Sequence, residues 1–162
     1  MGTGFRRDEG GRVARINHEP APGIGALAEL VRALWLTPAM DGLFTGAASD
    51  RRRFLDRLVL TLDPGHSSRV GDFEKAMRQR NRLLEGQRPD ARWLDGVGHT
   101  MAELAVAVAT ARDQAVAKLA AALHERAGGV FPDPGISIEG DFEAGLAGRP
   151  SVDVEADYRA DL

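Results

Sequence analysis

The sequence predicts a mixed α/β protein that is mainly α-helical, with an antiparallel helical hairpin as its largest part. Residues 69–85 and 90–126 carry apolar side chains at helical spacing, and only a short polar segment separates them. Two helices with so short a connection favour antiparallel packing. Residues 4–17 differ, because two short extended stretches flank the glycine-bearing segment 8–11, which is typical of a β-hairpin.

The composition is that of an ordinary globular domain. The chain has 162 residues, of which 43% are hydrophobic and 28% are charged. The absence of cysteine excludes disulfides, zinc–thiolate sites and thiol nucleophiles. No apolar run approaches the roughly 20 residues that span a bilayer, and the N-terminus lacks the apolar core of a signal peptide. These features predict a cytoplasmic protein without a membrane partner.

The N-terminal part contains the predicted β structure and two helices. Val13 and Ile16 are too few to anchor the hairpin alone, so we expect it to join a larger sheet. Residues 24–35 carry leucines at helical spacing and predict a helix, and residues 33–38 either end that helix or form a short buried strand. A second helix is expected to begin at Ser49, a good N-cap, and to end at an Asp-Pro-Gly turn.

The helical hairpin is predicted from apolar stripes and helix-end signals. Asp90 is expected to cap the longer helix, whose apolar residues alternate by four and three as in a coiled-coil seam. The seam consists of Val97, Met101, Leu104, Val108, Ala111 and Ala115. Gly96 and Gly98 each cost about 1 kcal/mol in a helix and weaken its first turns. Beyond it, residues 135–140 predict a strand and residues 154–162 the start of a helix.

Charge is unevenly distributed along the chain. Residues 75–92 hold six basic and two acidic residues, a local net charge of +4, at the expected tip of the hairpin. Residues 133–162 hold eight acidic residues and two arginines, a net charge of −6. A basic tip can neutralise DNA phosphates, and a solvated basic helix face explains the pattern equally well. Trp93 is the aromatic residue near the tip, which gives only weak support for base stacking.

Three consecutive arginines, Arg51, Arg52 and Arg53, lie in the first turns of the second predicted helix. Successive helix positions are rotated by about 100°, so the three side chains fan through about 200° and cannot all face one ligand. They are either the solvated side of the helix or, for one or two of them, contacts to phosphate or to a protein interface.

Three stretches of the sequence resemble the RecF family of bacterial DNA replication and repair proteins. They read LWLTPAMDGLFTGAASDRRRFLDRLVLTLDPGH, FEKAMRQRNRLL and WLDGVGHTMAELAVAVATARDQAVAKL. Trp93, Asp95, Glu103 and Arg112 occupy matching places in the third stretch. The combination of RRRFLD with RQRNRLL downstream is specific, and the resemblance extends more loosely over the rest of the chain.

The resemblance implies a partial ABC-type ATPase head that carries a helical arm, in the manner of the structural-maintenance-of-chromosomes proteins. The chain would be an internal segment of such a protein. The expected division is a partial head in residues 1–38, a Q-loop-like segment and helix in residues 39–66, the arm in residues 67–128, and a strand and helix that return to the head in residues 129–162.

The resemblance also implies candidate site residues. Pro38 and Asp41 occupy the Q-loop position for nucleotide sensing, although Ala39 stands where the family often has an acidic residue. Candidates for contacts to DNA or to the head interface are Arg51, Arg52, Arg53, Arg78, Arg80 and Arg82. Asn81 and Trp93 are expected to support the arm structurally.

The sequence lacks the motifs that bind and hydrolyse ATP. Neither Lys75 nor Lys118 lies in a G-x-x-x-x-G-K-[ST] loop, since alanine and leucine follow them. No ABC signature occurs, and in the Walker B-like run LVLTLDP, Pro64 stands in place of the catalytic acid. No catalytic residue, metal site or cofactor is therefore predicted for this chain alone. ATP and Mg²⁺ are expected in the full-length family.

The leading hypothesis is the arm and partial head of a RecF-like DNA-repair ATPase. The resemblance implies ATP-dependent homodimers that bind single-stranded or gapped DNA and support RecA loading together with RecO and RecR. The first alternative is a stand-alone helical module that binds a protein partner through its acidic C-terminal third. The second is a non-functional remnant, which would unfold with poor cooperativity because its end strands lack a sheet.

Overall fold

Two units divide the chain in the computed structural model, residues Met1–Pro64 and residues Gly65–Leu162. The residues that the structure describes are 2–5, 12–23, 25–28, 30–86, 90–126, 128 and 132–162. The predicted hairpin turn at residues 8–11 lies outside them. The first unit holds the β structure, and the second holds the two helices predicted to form the hairpin.

The first unit begins with a three-stranded antiparallel sheet in the order β1-β2-β3. Strand β1 is Gly2–Phe5, β2 is Arg12–Ile16 and β3 is Glu19–Pro20. In the central strand, Arg15 lies opposite Gly2 on one side and Pro20 on the other. Asn17 and His18 connect β2 to β3 with φ of 51° and 71°, as a type I′ hairpin turn requires. The predicted hairpin is confirmed, and β3 extends it by one strand.

Two α-helices follow in the first unit. Helix α1 is the single turn Gly25–Ala28, and α2 is Ala48–Leu60. The helix predicted over residues 24–35 is therefore wrong beyond its first turn. Residues 31–37 have no regular structure and are exposed, so the short buried strand is not formed either. A short helix is marginal in water unless its apolar face is buried. Helix α1 packs against β2, whereas residues 30–37 are exposed.

Helix α2 begins two residues earlier than predicted. Its N-cap is Ala47, whose carbonyl accepts hydrogen bonds from the backbone N–H groups of Asp50 and Arg51 at 3.0 and 3.4 Å. Ser49 therefore lies inside the first turn, and its prediction as the N-cap is wrong. Asp50 lies in the same turn, where its carboxylate interacts favourably with the helix dipole.

The regular structure described in the second unit is helical. Its elements are α3 (His66–Leu84), α4 (Ala91–His124), α5 (Asp141–Leu146) and α6 (Ser151–Asp161). Helices α3 and α4 pack along each other as the predicted hairpin. Asp90 caps α4 as predicted, since its Oδ1 accepts from the N–H groups of Arg92 at 2.9 Å and Trp93 at 3.2 Å. With 34 residues, α4 is about 51 Å long.

Helix α4 buries a broader face than a coiled-coil seam would. The buried residues are Val97, Gly98, Met101, Ala102, Ala105, Val106, Val108, Ala109, Ala115 and Val116. The predicted seam residues Leu104 and Ala111 are only half-buried. Because α4 packs against α5 and α6 as well as α3, two adjacent stripes are buried instead of one. A Cβ atom added at Gly98 would lie 3.7 Å from Leu162 Cδ1, which shows how closely the C-terminus approaches α4.

Helix α6 is joined to the hairpin by apolar and ionic contacts. The apolar contact is made with the buried cluster of Ala76, Val97 and Met101. Tyr158 and Leu162 pack against that cluster, and the Tyr158 ring meets Phe142 edge-on, with 5.1 Å between ring centroids. At the surface, Arg159 Nη2 lies 2.7 Å from Asp95 Oδ1. Arg159 and Asp95 are 64 positions apart in the sequence.

The segment before α5 differs from its prediction. Residues 132–140 have no regular structure, so the strand predicted at 135–140 is wrong. A strand is stable only when a neighbouring strand satisfies its backbone groups, and no described residue pairs with this segment. The helix predicted over residues 154–162 is confirmed, although it begins earlier, at Ser151.

Two valines on α6 provide a matched test of this packing. Val154 is 4% exposed and Val152 is 72% exposed. We expect Val154→Ala to lower the free energy of unfolding by about 2 kcal/mol, since it removes buried methyl groups and leaves a cavity. Val152→Ala should change it by less than about 0.5 kcal/mol. Urea unfolding of both variants measures the difference, and equal costs would contradict the burial of this helix face.

Ionisation of the partly buried Tyr158 should lower the stability of the second unit at alkaline pH. Burial raises the pKa of the Tyr158 phenol above its ordinary value of 10.0, and the Arg80 guanidinium partly opposes this. Above pH 10 the unfolded chain therefore loses a proton that the folded chain keeps, so stability should be unaffected below pH 10 and fall above it. Urea unfolding of the wild type and Tyr158→Phe at about pH 8 and about pH 10.5 tests this. A decline of the same size in both proteins would exclude Tyr158 as its source.

Candidate functional site

A tight loop precedes helix α2 and carries the predicted Q-loop-like residues. Pro38–Met40 forms a 3₁₀ helix, and the Asp41 N–H donates to the Pro38 carbonyl at 3.1 Å. The loop then turns twice more, with the Leu43 N–H donating to Met40 O at 2.9 Å and the Gly46 N–H to Gly42 O at 2.8 Å. Leu43 is the buried residue that anchors this loop.

Arg51 fastens the end of the loop to helix α2. Its Nη1 donates to the carbonyl of Gly46 at 2.7 Å and to that of Phe44 at 3.5 Å. These carbonyls lie outside the helix, so a charged donor from the first turn of α2 satisfies them. Arg51 therefore has a structural role in holding residues 44–46 against the helix.

A cavity of about 420 Å³ lies between the loop and α2. This loop–helix cavity is lined by Met40, Gly42, Leu43, Gly46, Asp50, Arg53 and Arg57. Arg53 Nη1 lies 3.4 Å from Asp50 Oδ1, and Arg57 Nε lies 3.4 Å from the Arg53 carbonyl. With two guanidinium groups and one carboxylate, the lining is net positive, and its chemistry suits an anion better than a cation.

The structure separates the three consecutive arginines. Arg51 binds the loop, Arg53 lines the cavity, and Arg52 is exposed without a hydrogen bond or ion pair to any described residue. This is the fan that helical geometry requires. Pro38 and Asp41 are exposed and are not among the residues that line the cavity. Their role in nucleotide sensing remains a prediction.

Of the seven residues that line this cavity, sequence reasoning predicted only Arg53 as a site residue, and Met40 and Arg57 are two of the six that it missed. Arg57 lies one helical turn after Arg53, and an i,i+4 relation places both on the same face of α2. That spacing is visible in the sequence and was the available signal. Met40 had no comparable signal, because its position depends on the fold of the loop.

The basic residues of α3 in the arm differ in exposure, and only some of them are open to solvent. Lys75, Arg78 and Arg82 are exposed on α3 at a spacing of three and four residues, and we call them the arm basic face. Arg78 Nη1 lies 3.4 Å from Glu74 Oε2, a solvent-exposed contact. Arg80 is half-buried and lies close enough to Tyr158 to affect its pKa. The arm basic face can therefore contact a phosphate in solution more readily than Arg80 can.

The two residues predicted to support the arm lie at its surface. The Asn81 side chain is exposed and forms no hydrogen bond with a described residue. Trp93 is 54% exposed, and its backbone N–H takes part in the Asp90 cap. Arg88, another basic residue of the tip, lies outside the described residues. Nearby on α4, Asp95 forms an exposed ion pair with Arg159 of α6.

Among the described residues, no group of three or more histidine, aspartate or glutamate side chains is placed to hold a metal ion. Over the same residues, no helix is long and apolar enough to cross a bilayer.

The chain is similar over its whole length to several curated proteins. It is 50% identical over 165 residues to one from Mesorhizobium japonicum, covering all of this chain and 44% of that protein. It is 50% identical over 161 residues to one from Agrobacterium fabrum, covering 98% of this chain and 43% of that protein. A relative from Brucella abortus is 50% identical over 165 residues, with 42% of its length covered.

These relatives are DNA replication and repair proteins. They are RecF, and the chain belongs to the RecF family, as its sequence motifs predicted. It spans less than half the length of the curated relatives it matches. No protein-family profile and no solved structure matches the chain.

Arg51 and Arg52 provide a matched test of the loop anchor. Arg51→Ala removes the donor to Gly46 and Phe44, and we expect the amides of residues 42–46 to exchange about tenfold faster, as the loss of a charged hydrogen bond worth about 1.5 kcal/mol implies. Arg52→Ala should leave that exchange unchanged. Hydrogen–deuterium exchange with mass spectrometry measures both variants. Unchanged exchange in Arg51→Ala would show that the loop does not depend on this side chain.

Proposed function

We propose that this chain acts in DNA replication and repair as the corresponding part of a RecF protein. Its proposed role is to supply DNA contacts from a helical arm, in a cytoplasmic assembly that binds single-stranded or gapped DNA. The observation that carries this proposal is the 50% identity to RecF over the whole chain. The proposed partners of the assembly are RecO and RecR, a second RecF copy, and RecA as the protein loaded onto DNA.

The arm basic face supports a contact to DNA phosphates. Lys75, Arg78 and Arg82 project from one side of α3 without a buried partner, and the only ion pair described for them, Arg78 with Glu74, is exposed. An exposed ion pair of this kind contributes little to stability, so phosphate can replace the carboxylate at small cost. Contacts of this type release counterions and make affinity depend on salt.

The ATP chemistry of the family is proposed to lie outside the residues of this chain. Binding of ATP with Mg²⁺ needs a glycine-rich loop, a lysine for the phosphates and a hydroxyl for the metal. The loop–helix cavity contains arginines but no lysine, serine or threonine among its lining residues. Its residues do not fit an ATP–Mg²⁺ site, and no step of the proposed DNA contact passes through ATP.

The cavity is proposed to belong to the head side of the protein. The relation of residues Met1–Pro64 to an ABC-type ATPase head rests on the family resemblance, and the three-stranded sheet and short loop are compatible with it. In that setting Arg53 or Arg57 would face an anionic group of a neighbouring element. Met40, next to the Q-loop-like Asp41, would couple that contact to the loop.

The double variant Arg78→Glu, Arg82→Glu tests the DNA contact. We expect weaker binding of the chain to gapped DNA and a slope of log K against log salt that is smaller by about 2, because two phosphate contacts are lost. Fluorescence anisotropy over a salt series measures both quantities. Arg80 is left unchanged, because its half-buried position beside Tyr158 would mix a packing defect with the charge effect.

The matched control is Lys118→Glu, Arg126→Glu, which makes the same charge change at two exposed residues near the C-terminal end of α4. It should keep the slope of the wild type. Equal slopes in all three proteins would show that the arm basic face does not contact DNA. A wild-type chain that is folded but indifferent to DNA at low salt would favour the stand-alone protein-binding module instead.

A further inference from the structure

An exposed aromatic side chain lies at the arm tip, the end of the hairpin formed by the last turn of α3 and the first turn of α4. Trp93, in the first turn of α4, is 54% exposed, and Leu84, the last residue of α3, is 47% exposed. Only residues 85–90 connect the two helices, so both apolar side chains lie at the same end of the arm. Because single exposed apolar residues are common, the surroundings of Trp93 decide what its exposure means.

The backbone of Trp93 is held in place, whereas its indole makes no polar contact within the described chain. The Trp93 backbone N–H donates to Asp90 Oδ1 at 3.2 Å, which fixes the first turn of α4. The indole itself forms no hydrogen bond and no ring contact with a described residue. A flat apolar ring on a capped helix end is therefore open to a flat ligand from solution.

Positive charge accompanies the indole at the arm tip. Arg82 in the last turn of α3 and Arg92 in the first turn of α4 are both exposed. Two of the three nearby carboxylates are engaged within the protein, since Asp90 accepts from two backbone N–H groups at 2.9 and 3.2 Å and Asp95 forms an ion pair with α6 at 2.7 Å. Glu85 is exposed and has no such partner among the described residues. The two guanidinium groups outnumber it, so the arm tip favours an anionic ligand.

An exposed aromatic ring among exposed cations is the chemistry of a site for single-stranded nucleic acid. Proteins that bind single strands place cations along the phosphate backbone and stack the bases on aromatic side chains. In a duplex, each base is stacked between its neighbours. An indole on a protein surface therefore reaches a base face only where the base is unpaired.

We propose that Trp93 stacks on an unpaired base and thereby makes the arm bind single-stranded DNA in preference to duplex DNA, with Arg82 and Arg92 on the flanking phosphates. This preference rests on the proposed DNA contact of the arm basic face and adds the residue that distinguishes the two forms of DNA. The arm basic face contacts phosphates, which both forms share, so it does not discriminate between them by itself. The indole contacts a base, whose faces are accessible in the single strand.

Competition binding measures the preference. A fluorescently labelled oligothymidylate is bound to the full chain and displaced either by unlabelled oligothymidylate or by relaxed closed circular duplex DNA, which has no ends. We expect Trp93→Ala to weaken binding of the single strand at least about fivefold and to leave binding of the duplex unchanged, because one base–aromatic stack is lost. The salt slope should equal that of the wild type, since no phosphate contact is removed. Trp93→Phe keeps an aromatic face and should retain most of the preference.

The other tryptophan of the chain, Trp35, provides the matched control and a direct readout. Trp35 is 58% exposed, and Trp35→Ala should keep the wild-type affinities for both forms of DNA. In the Trp35→Phe protein, Trp93 is the sole tryptophan. A stacked base should quench its fluorescence when oligothymidylate is added, whereas the closed circular duplex should leave the fluorescence unchanged. This readout leaves Trp93 intact, so it decides the question even where Trp93→Ala does not fold.

Three outcomes would overturn the role of Trp93. In the first, Trp93→Ala weakens binding of the single strand and of the duplex equally, or changes neither. In the second, oligothymidylate binds the Trp35→Phe protein without quenching Trp93. In both cases the DNA contact of the arm basic face stands, because the smaller salt slope of Arg78→Glu, Arg82→Glu is measured independently. In the third, a folded wild-type chain binds neither form of DNA, which contradicts the DNA contact itself and the stacking with it.

Discussion

The second unit depends on the burial of one broad face of helix α4. A helix of 34 residues has a long apolar surface, and a single antiparallel partner covers only one stripe of it. Helix α3 has 19 residues and leaves part of α4 without a partner of its own. The short helices α5 and α6 therefore pack on α4 as well, and the exposed Asp95–Arg159 ion pair lies where α6 meets the start of the long helix.

The small side chains on α4 are what make this arrangement possible. Ala102, Ala105 and Ala109 are buried although they contribute little apolar area, so their value lies in letting neighbouring elements approach. At Gly98, by contrast, an added Cβ atom would lie at an ordinary van der Waals distance from Leu162, so the approach of the C-terminus does not require the glycine.

The first unit is organised by a different kind of interaction. Its loop from Pro38 to Gly46 has one buried anchor, Leu43, and is otherwise held by backbone turns and by Arg51. Arg51 donates its hydrogen bonds to loop carbonyls. The arginines that line the cavity are therefore Arg53 and Arg57. The fold of the loop therefore determines which of the neighbouring arginines contribute positive charge to the cavity.

The two units also differ in how much of their apolar surface is covered by their own residues. In the second unit, the apolar stripes of α3, α4 and α6 meet one another, and the acidic α6 uses Asp157 in a contact with Arg149 at 2.7 Å. In the first unit, the apolar residues Leu30, Val31, Leu34, Trp35 and Leu36 are exposed.

The sequence by itself determined the features that depend on near neighbours along the chain. The Asp90 cap, the helix pair and the hairpin at β1 and β2 follow from local spacing and turn chemistry, and the RecF family was identifiable from RRRFLD and RQRNRLL. Tertiary structure decided what depends on distant partners. Residues 30–35 and 135–140 did not form their predicted elements, because their apolar side chains or backbone edges have no partner among the described residues. The separate roles of Arg51 and Arg53 likewise depended on the loop, since a helical pattern shows which way a side chain points but not what lies opposite it.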